Sequence, residues 1–378
     1  MSDSPGGGAS LFSPTTQEEL SSWVQQCSSS GQTIPWMTDP QQWLGEQTSR
    51  NTLSLQQLNA VIDHAWQDLT ITVEAGITIS ALQQVLAERQ QFLPLDIPCP
   101  EQTTVAELIC QNWYGSLSAG YGKVRDFLLG ISAIDGQGRI FKSGGRVVKN
   151  VAGYDLHKFL IGSRGRLAIP VSASLKVVPS PESYCLREYR LKDKTESLEL
   201  WKQLRMLPFD PAIFDWTENR IVRLGLTGSE VYCHAAEGHF DQLLGEFSDP
   251  VSDNQQDHVP TSQPWSKILL DLQEIVSKDR LLVRLAMTPD RSVTFTEQID
   301  QLENLQAVGH VATGTVIVWG TSTAASQSWL AAALNDPKVN TQVLMGQAAD
   351  SLQASNSAHQ LYQKIRQNFD PEQVFAVS

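Results

Sequence analysis

Residues 120–179 read GYGKVRDFLLGISAIDGQGRIFKSGGRVVKNVAGYDLHKFLIGSRGRLAIPVSASLKVVP. From Phe127 to Lys142 an apolar run, the turn Asp135-Gly136-Gln137-Gly138 and a second apolar run predict a β-hairpin. A helix from about Tyr154 to Ile161 and a strand from Arg166 to Val178 are expected next, with Pro179 and Pro181 marking a boundary. The segment Gly120–Val178 also holds ten Lys or Arg against three acids, a local +7, and ten of the chain's 25 glycines. Glycine beside positive charge lets a backbone approach a phosphate closely. The plainer reading of the same charge is a basic surface turned towards an acidic partner subunit.

Upstream, Gln17–Gln26 predicts a short helix, and Asp68–Ile79 reads as strand, turn and strand because Ile71, Val73 and Ala75 alternate with polar residues and Ile77 and Ile79 resume the pattern after Gly76. Ser80 is the expected N-cap of a following helix that carries Leu82, Val85 and Leu86 on one face, and Pro94, Pro98 and Pro100 close it. Downstream of the boundary, a strand over Tyr184–Leu191, a helix over Thr195–Met206 and strands around Ile213–Leu226 and Glu230–Ala236 are expected. Asp249–Pro264 reads as a loop, helix and strand alternate beyond it, and Ala358–Asn368 predicts a helix ending at Asp370-Pro371. This pattern gives an α+β chain: a disordered lead-in over residues 1–16, a first domain over 17–180 in two lobes (about 17–98 and 99–180), a second α+β domain over 181–350, and a C-terminal helix and tail over 351–378 that returns to the first domain.

Composition narrows the function classes. The 378 residues carry a net charge of −13, so the chain outside Gly120–Val178 is at −20 and repels nucleic acid and anionic membrane. The longest apolar runs, such as Thr315–Trp319, are far too short for a transmembrane helix, and no basic-then-apolar leader is readable in Met1–Ser10. A cytoplasmic location is expected. Cys27, Cys99, Cys110, Cys185 and Cys233 are odd in number and lack C-x-x-C spacing, which predicts reduced thiols rather than a disulfide framework or a metal ribbon.

Asp68–Pro98 and Gly120–Pro179, above all K-N-V-A-G-Y-D-L at Lys149–Leu156, resemble the FAD-binding (PCMH-type) domain of the vanillyl-alcohol oxidase type flavoproteins, and within them look most like glycolate oxidase E subunits; F-D-P at Phe369–Pro371 matches the family's ending. The resemblance implies a two-lobed FAD-binding PCMH-type domain with FAD in the crevice between the lobes, followed by an α+β cap domain. It implies FAD contacts at Gly120, Tyr121, Gly122, Val151, Gly153, Tyr154 and Ile169; apart from the resemblance, Arg125 and Lys149 are extra cations that can serve the phosphates, the plainer reading of each being a solvated surface charge. It also implies partners: a catalytic flavoprotein D subunit and an iron–sulfur F subunit, acting together on glycolate to give glyoxylate.

Three segments depart from the family pattern. The glycine-rich phosphate loop is replaced by Thr33–Gly45, TIPWMTDPQQWLG, in which Pro40 lacks an N–H and Asp39 carries a charge of the wrong sign. The T-[VL]-G-G segment reads Thr104-Val105-Ala106-Glu107, and G-T-L-G-I reads Gly165-Arg166-Leu167-Ala168-Ile169, where Arg166 can restore some positive charge. In place of the H-x-x-G-D-G-N-x-H run of catalytic relatives stands Gly309–Gly314, GHVATG, so His310 reads as a surface or packing histidine and no catalytic or metal residue is nominated. His234 and His239 flank Glu237 on an expected strand-to-loop segment, a weak ligand pattern. Two readings stand at this point: an FAD-holding accessory subunit, or a scaffold that keeps the fold and binds partners without the cofactor.

Overall fold

The computed structural model describes residues 11–36, 53–97, 99–145, 155–192, 197–217, 220–250, 280–299, 302, 304–321, 323–336, 338–345 and 356–375. It begins with α1 (Gln17–Ser30), capped by the Thr16 side chain, which accepts from the Glu19 N–H. Leu20, Val24 and Cys27 form its buried stripe, the i, i+4, i+7 spacing of an amphipathic helix.

A five-stranded antiparallel sheet follows. It contains β1 (Val61–Ala65) and β2 (Thr70–Glu74); then come α2 (Ile79–Ala87), the short β3 (Gln91–Phe92), α3 (Val105–Gln111) and α4 (Val124–Phe127) before β4 (Leu128–Asp135) and β5 (Ile140–Gly144) form the expected hairpin. After α5 (His157–Leu160), β6 (Ala168–Lys176) enters the middle, giving the order β1-β2-β6-β4-β5, and β7 (Val178–Pro179) pairs with β3. Two expectations shift here. Ile77 and Ile79 do not make a second strand: Thr78, not Ser80, caps α2, because its hydroxyl accepts from the Ala81 N–H and so starts the helix at Ile79. Ile79, Leu82 and Leu86 then bury against the sheet.

The second sheet has eight strands: β8 (Ser183–Leu191), then α6 (Ser197–Leu204), β9 (Ile213–Thr217), β10 (Ile221–Gly228), α7 (Glu230–Leu244), β11 (Ser248–Pro250), β12 (Arg280–Ala286), α8 (Pro289–Ile299), β13 (Leu305–His310), β14 (Thr315–Thr321), α9 (Ala324–Asn335) and β15 (Asn340–Met345). Its order is β11-β8-β10-β9-β13-β14-β12-β15. The expected strand at Glu230–Ala236 is instead the start of α7. Val231 and Tyr232 favour a strand by propensity, yet Ser229 caps the Tyr232 N–H, and Cys233, Ala236, Phe240 and Leu244 bury at helical spacing. Ile213, Leu282, Val308 and Ile317 join the first sheet's core, while Phe214, Trp216 and Val222 pack with α6 and α7. The second sheet is therefore covered on both faces.

The chain returns at α10 (Asn356–Phe369). Asp370, 1% exposed, accepts from the Val374 and Phe375 N–H groups at 2.7 and 3.1 Å, and Val374 and Phe375 fill the core beside α1. Replacing Asp370 with alanine leaves two amides without acceptors and is expected to cost about 3 kcal/mol, read as a lowered urea midpoint. All five cysteines are free, and burial pushes the Cys110 thiol up to about 12.

Candidate functional site

The first turn of α1 and the outer face of the first sheet border a half-open cavity of about 610 Å³. The sheet sets its floor through period-two alternation: on β6, Ala173 and Leu175 point into the core while Ser172 and Ser174 point outwards. Ser132 on β4 lines the same floor and is 5% exposed, and its hydroxyl has no partner among the described residues. Thr72 on β2 bonds Ser174 across the floor, hydroxyl to hydroxyl, at 2.9 Å. Gly130, Gly144 and Gly145 leave the backbone bare at the β4–β5 end, beside Lys142. On the opposite wall the carboxylate of Glu74 accepts from the Ala60 N–H at 2.8 Å. The sequence did carry the signal for this floor, in the small hydroxyl residues alternating with apolar ones at residues 171–175, but the glycines drew the reading elsewhere.

The nominated residues fall in three places. Gly120 lies at the seam between the two sheets: its N–H donates to the Ala212 carbonyl at 3.2 Å, and a Cβ there would sit 2.5 Å from Ala212 Cα. Tyr121 donates its N–H to the Leu117 carbonyl and its hydroxyl to Thr227 at 3.1 Å, and packs edge-on to Phe92. Gly122, at φ +105°, rests against the Asp126 carboxylate, which accepts from the Lys123 N–H. Ile169 is fully buried beside Trp36, Ala106 and Cys110. Val151, Gly153, Tyr154 and Lys149 lie outside the described residues, as do Met37–Gly45, while Arg125 is exposed. The structure thus gathers Gly120–Gly122 on the inter-sheet seam and leaves Ile169 in the core.

The departures from the family pattern take definite positions. Trp36 is 4% exposed and its indole N–H donates to the Gly165 carbonyl at 3.0 Å. Glu107 closes a capping box on α3: its carboxylate accepts from the Thr104 N–H and hydroxyl at 2.9 and 3.0 Å, and Thr104 Oγ1 accepts from the Glu107 N–H. The Val105 and Ala106 N–H groups donate to Ile77 and Ala75 carbonyls. The first amides of α3 are therefore taken up within the protein. The 610 Å³ cavity, by contrast, lies in the size range of cofactor pockets; its lining mixes apolar side chains such as Leu58 and Ile62 with bare backbone, hydroxyls and Lys142, donors suited to ribose and phosphate oxygens, and with the carboxylates of Glu18 and Glu74.

A second constellation lies on the seam. His310, expected on the surface or in packing, is 1% exposed, and its Nδ1–H donates to Asp215 Oδ1 at 2.7 Å. The Ser116 hydroxyl donates to the other Asp215 oxygen at 2.6 Å. Glu237, with which the sequence flanked two histidines, lies on α7 and pairs with Arg187 at 3.1 Å. Among the described residues no three His, Cys, Asp or Glu side chains converge as metal ligands.

Residues 9–144 match the family model described as an FAD binding domain. This stretch, well under half of the chain, is similar to FAD binding domains. The chain also has sequence relatives: glycolate oxidase subunit GlcE of Escherichia coli (strain K12) is 31% identical over 218 residues, 54% of this chain and 61% of that protein. Glycolate oxidase subunit GlcD of Bacillus subtilis (strain 168) is 31% identical over 131 residues, 35% of this chain and 28% of that protein. The matched stretches thus span less than two thirds of either relative's length. The solved structure of p-cresol methylhydroxylase with substrate bound superposes with a TM-score of 0.71 at 13% identity, covering 96% of this chain and 86% of that one, a likeness of fold. Among the described residues no helix is long and apolar enough to cross a membrane.

Proposed function

We propose that the chain is an FAD-holding accessory subunit of a glycolate oxidase-type assembly, with the cofactor in the cavity between α1 and the first sheet. That cavity, about 610 Å³ and lined in part by hydroxyls, bare glycine backbone and Lys142, within and just beyond the stretch that matches an FAD binding domain, is the observation that carries the reading. The GlcE and GlcD relatives support the assembly, in which this chain works beside a catalytic flavoprotein subunit and an iron–sulfur subunit. The domain division follows the two sheets, with the second sheet and its helices as the cap. The accessory role rests on the sequence at Gly309–Gly314, which retains one histidine of the catalytic relatives' metal run.

When bound, FAD supplies acceptance and onward delivery of an electron pair. This chain's residues hold it: Ser132, Ser172 and Ser174 offer hydroxyls to ribose or phosphate oxygens, Lys142 offers a cation, and the bare glycine backbone at Gly130 and Gly145 admits close approach. The second reading, a scaffold without cofactor, is favoured by one observation: Glu107 and Trp36 occupy the positions from which family members present glycine amides.

Titration of the purified full-length chain with FAD, followed by visible absorbance, separates the two. The expected result is saturation near one equivalent, with Ser172→Phe, which fills the cavity from a half-buried floor position, binding about 100-fold more weakly at unchanged thermal stability. A chain that ignores FAD overturns cofactor binding and leaves the scaffold. Equal affinity in Ser172→Phe moves the flavin out of this cavity.

A further inference from the structure

The seam between the two sheets buries four polar side chains: Asp96 at 2% exposure, Ser116 at 3%, Asp215 at 0% and His310 at 1%. They come from four separate elements. Asp96 lies in the loop after β3, Ser116 begins the short turn Ser116–Ala119, Asp215 is on β9, and His310 ends β13. The Gly115 N–H donates to Asp96 Oδ1 at 3.1 Å, and the Gly115 Cα faces Asp96 Oδ2 so closely that no side chain fits there. Asp96 Oδ2 and His310 Nε2 are both buried without a hydrogen-bond partner among the described residues. Natural structures rarely leave such groups unsatisfied, and here both belong to ionisable residues close enough to feel each other's charge.

We propose that Asp96, His310, Asp215 and Ser116 form a pH-operated clasp between the first and second sheets, closed when protonated and loosened as protons leave. With His310 as imidazolium and Asp96 as the neutral acid, the buried charges reduce to one cation on one carboxylate, a pair held by two short hydrogen bonds at Asp215. When Asp96 ionises, a second buried carboxylate shares that cation. When His310 then loses its proton, two buried carboxylates remain with Arg223 on β10 as the neighbouring cation, itself bonded to Glu188 on β8 at 2.9 Å. Uncompensated buried charge is expensive, so each loss favours separation of the two sheets.

The ionisation behaviour agrees in sign. Burial pushes Asp96 up to about 6, with Asp215 adding to the rise, against His310, the Asp96 backbone and the Gly115 amide, which lower it. Burial pulls His310 down, but the Asp215 charge and hydrogen bond and the Asp96 charge outweigh it, with Arg223 opposing, and the net shift is upward. Both groups hold their protons more tightly folded than unfolded. Their contribution is complete below the unfolded values and is lost as pH rises, first through about 6 for Asp96 and then above the ordinary histidine value for His310. The other contacts across the seam, Gly120 to Ala212 and Tyr121 to Thr227, keep the loosening local.

Hydrogen exchange of the full-length protein between about pH 5 and about pH 8, corrected for the intrinsic pH dependence of exchange, tests the clasp. The expected result is protection at residues 115–118 and 213–216 falling at least about tenfold over that range, while Gly120, Tyr121, β12 and β14 hold theirs. Asp96→Asn keeps an oxygen for the Gly115 amide but cannot ionise, so it should flatten the lower part of the profile and leave the upper part; His310→Gln should flatten the upper part. Protection that is constant or rises with pH in the wild-type protein overturns the proposal whatever the variants do. A wild-type-like profile in a folded Asp96→Asn protein overturns the role of Asp96.

Discussion

Asp215→Ala is expected to lower the stability of this protein by about 3–5 kcal/mol, the cost of leaving one member of a buried ion pair uncompensated. The side chain is 0% exposed and accepts two short hydrogen bonds, from His310 Nδ1–H at 2.7 Å and from the Ser116 hydroxyl at 2.6 Å. Its removal strands a buried imidazole and a buried hydroxyl together and opens a void on the face of β9 that Ile213 shares, opposite to fully buried Trp216. Urea unfolding followed by tryptophan fluorescence is the direct measurement. Asp215→Asn keeps an acceptor for the imidazole but not the charge: a cost close to that of Asp215→Ala means the seam relies on the charge of Asp215, and a clearly smaller one means it relies on the hydrogen bonds. A loss below about 1 kcal/mol for Asp215→Ala would mean that water enters and replaces the carboxylate.

Gly76→Ala is the second large effect. A Cβ at residue 76 would land on the carbonyl of Leu55 and come within 2.7 Å of the carbonyl oxygen of Leu58, and both obstacles are backbone. The Gly76 N–H also donates to that Leu58 oxygen at 2.8 Å, so the two segments cannot part without losing a hydrogen bond. A loss of about 3 kcal/mol is expected, at the upper end of overpacking. Because Leu58 lines the cavity, FAD affinity should fall with it. Gly238→Ala is the matched control: it lies on α7 with open space where its Cβ would go, and alanine there should stabilise by about 0.5–1 kcal/mol. Thermal midpoints of the two variants should therefore move in opposite directions.

The contrast between Gly76 and Gly120 shows where sequence reasoning reached and where it stopped. At Gly120–Gly122 the residue type announced a close approach, and the close approach is there, but the neighbour is the Ala212 backbone. A glycine states that something must come near and is silent on what. The β4–β5 hairpin was legible because turn chemistry and alternation are local, whereas α7 was misread because Val231 and Tyr232 carry strand propensity that one hydroxyl, at Ser229, overrides. His310 was illegible for another reason. A histidine's state depends on its partners: Asp215 reaches it only through pairing of strands far apart in sequence, and Asp96 only through a loop folded onto that seam. The cavity floor sat in plain view as alternating serines, but a small hydroxyl on a strand becomes a site only once a helix is laid over it.

The return of the tail to α1 sets an order of events during synthesis. Ile34 donates its N–H to the Val374 carbonyl, and Phe375 is fully buried among Leu20, Trp36 and Leu53. On the ribosome those three side chains must wait, uncovered, until residues 374 and 375 have left the exit tunnel. The surroundings of Leu20, Trp36 and Leu53 are thus among the last parts of this fold to close.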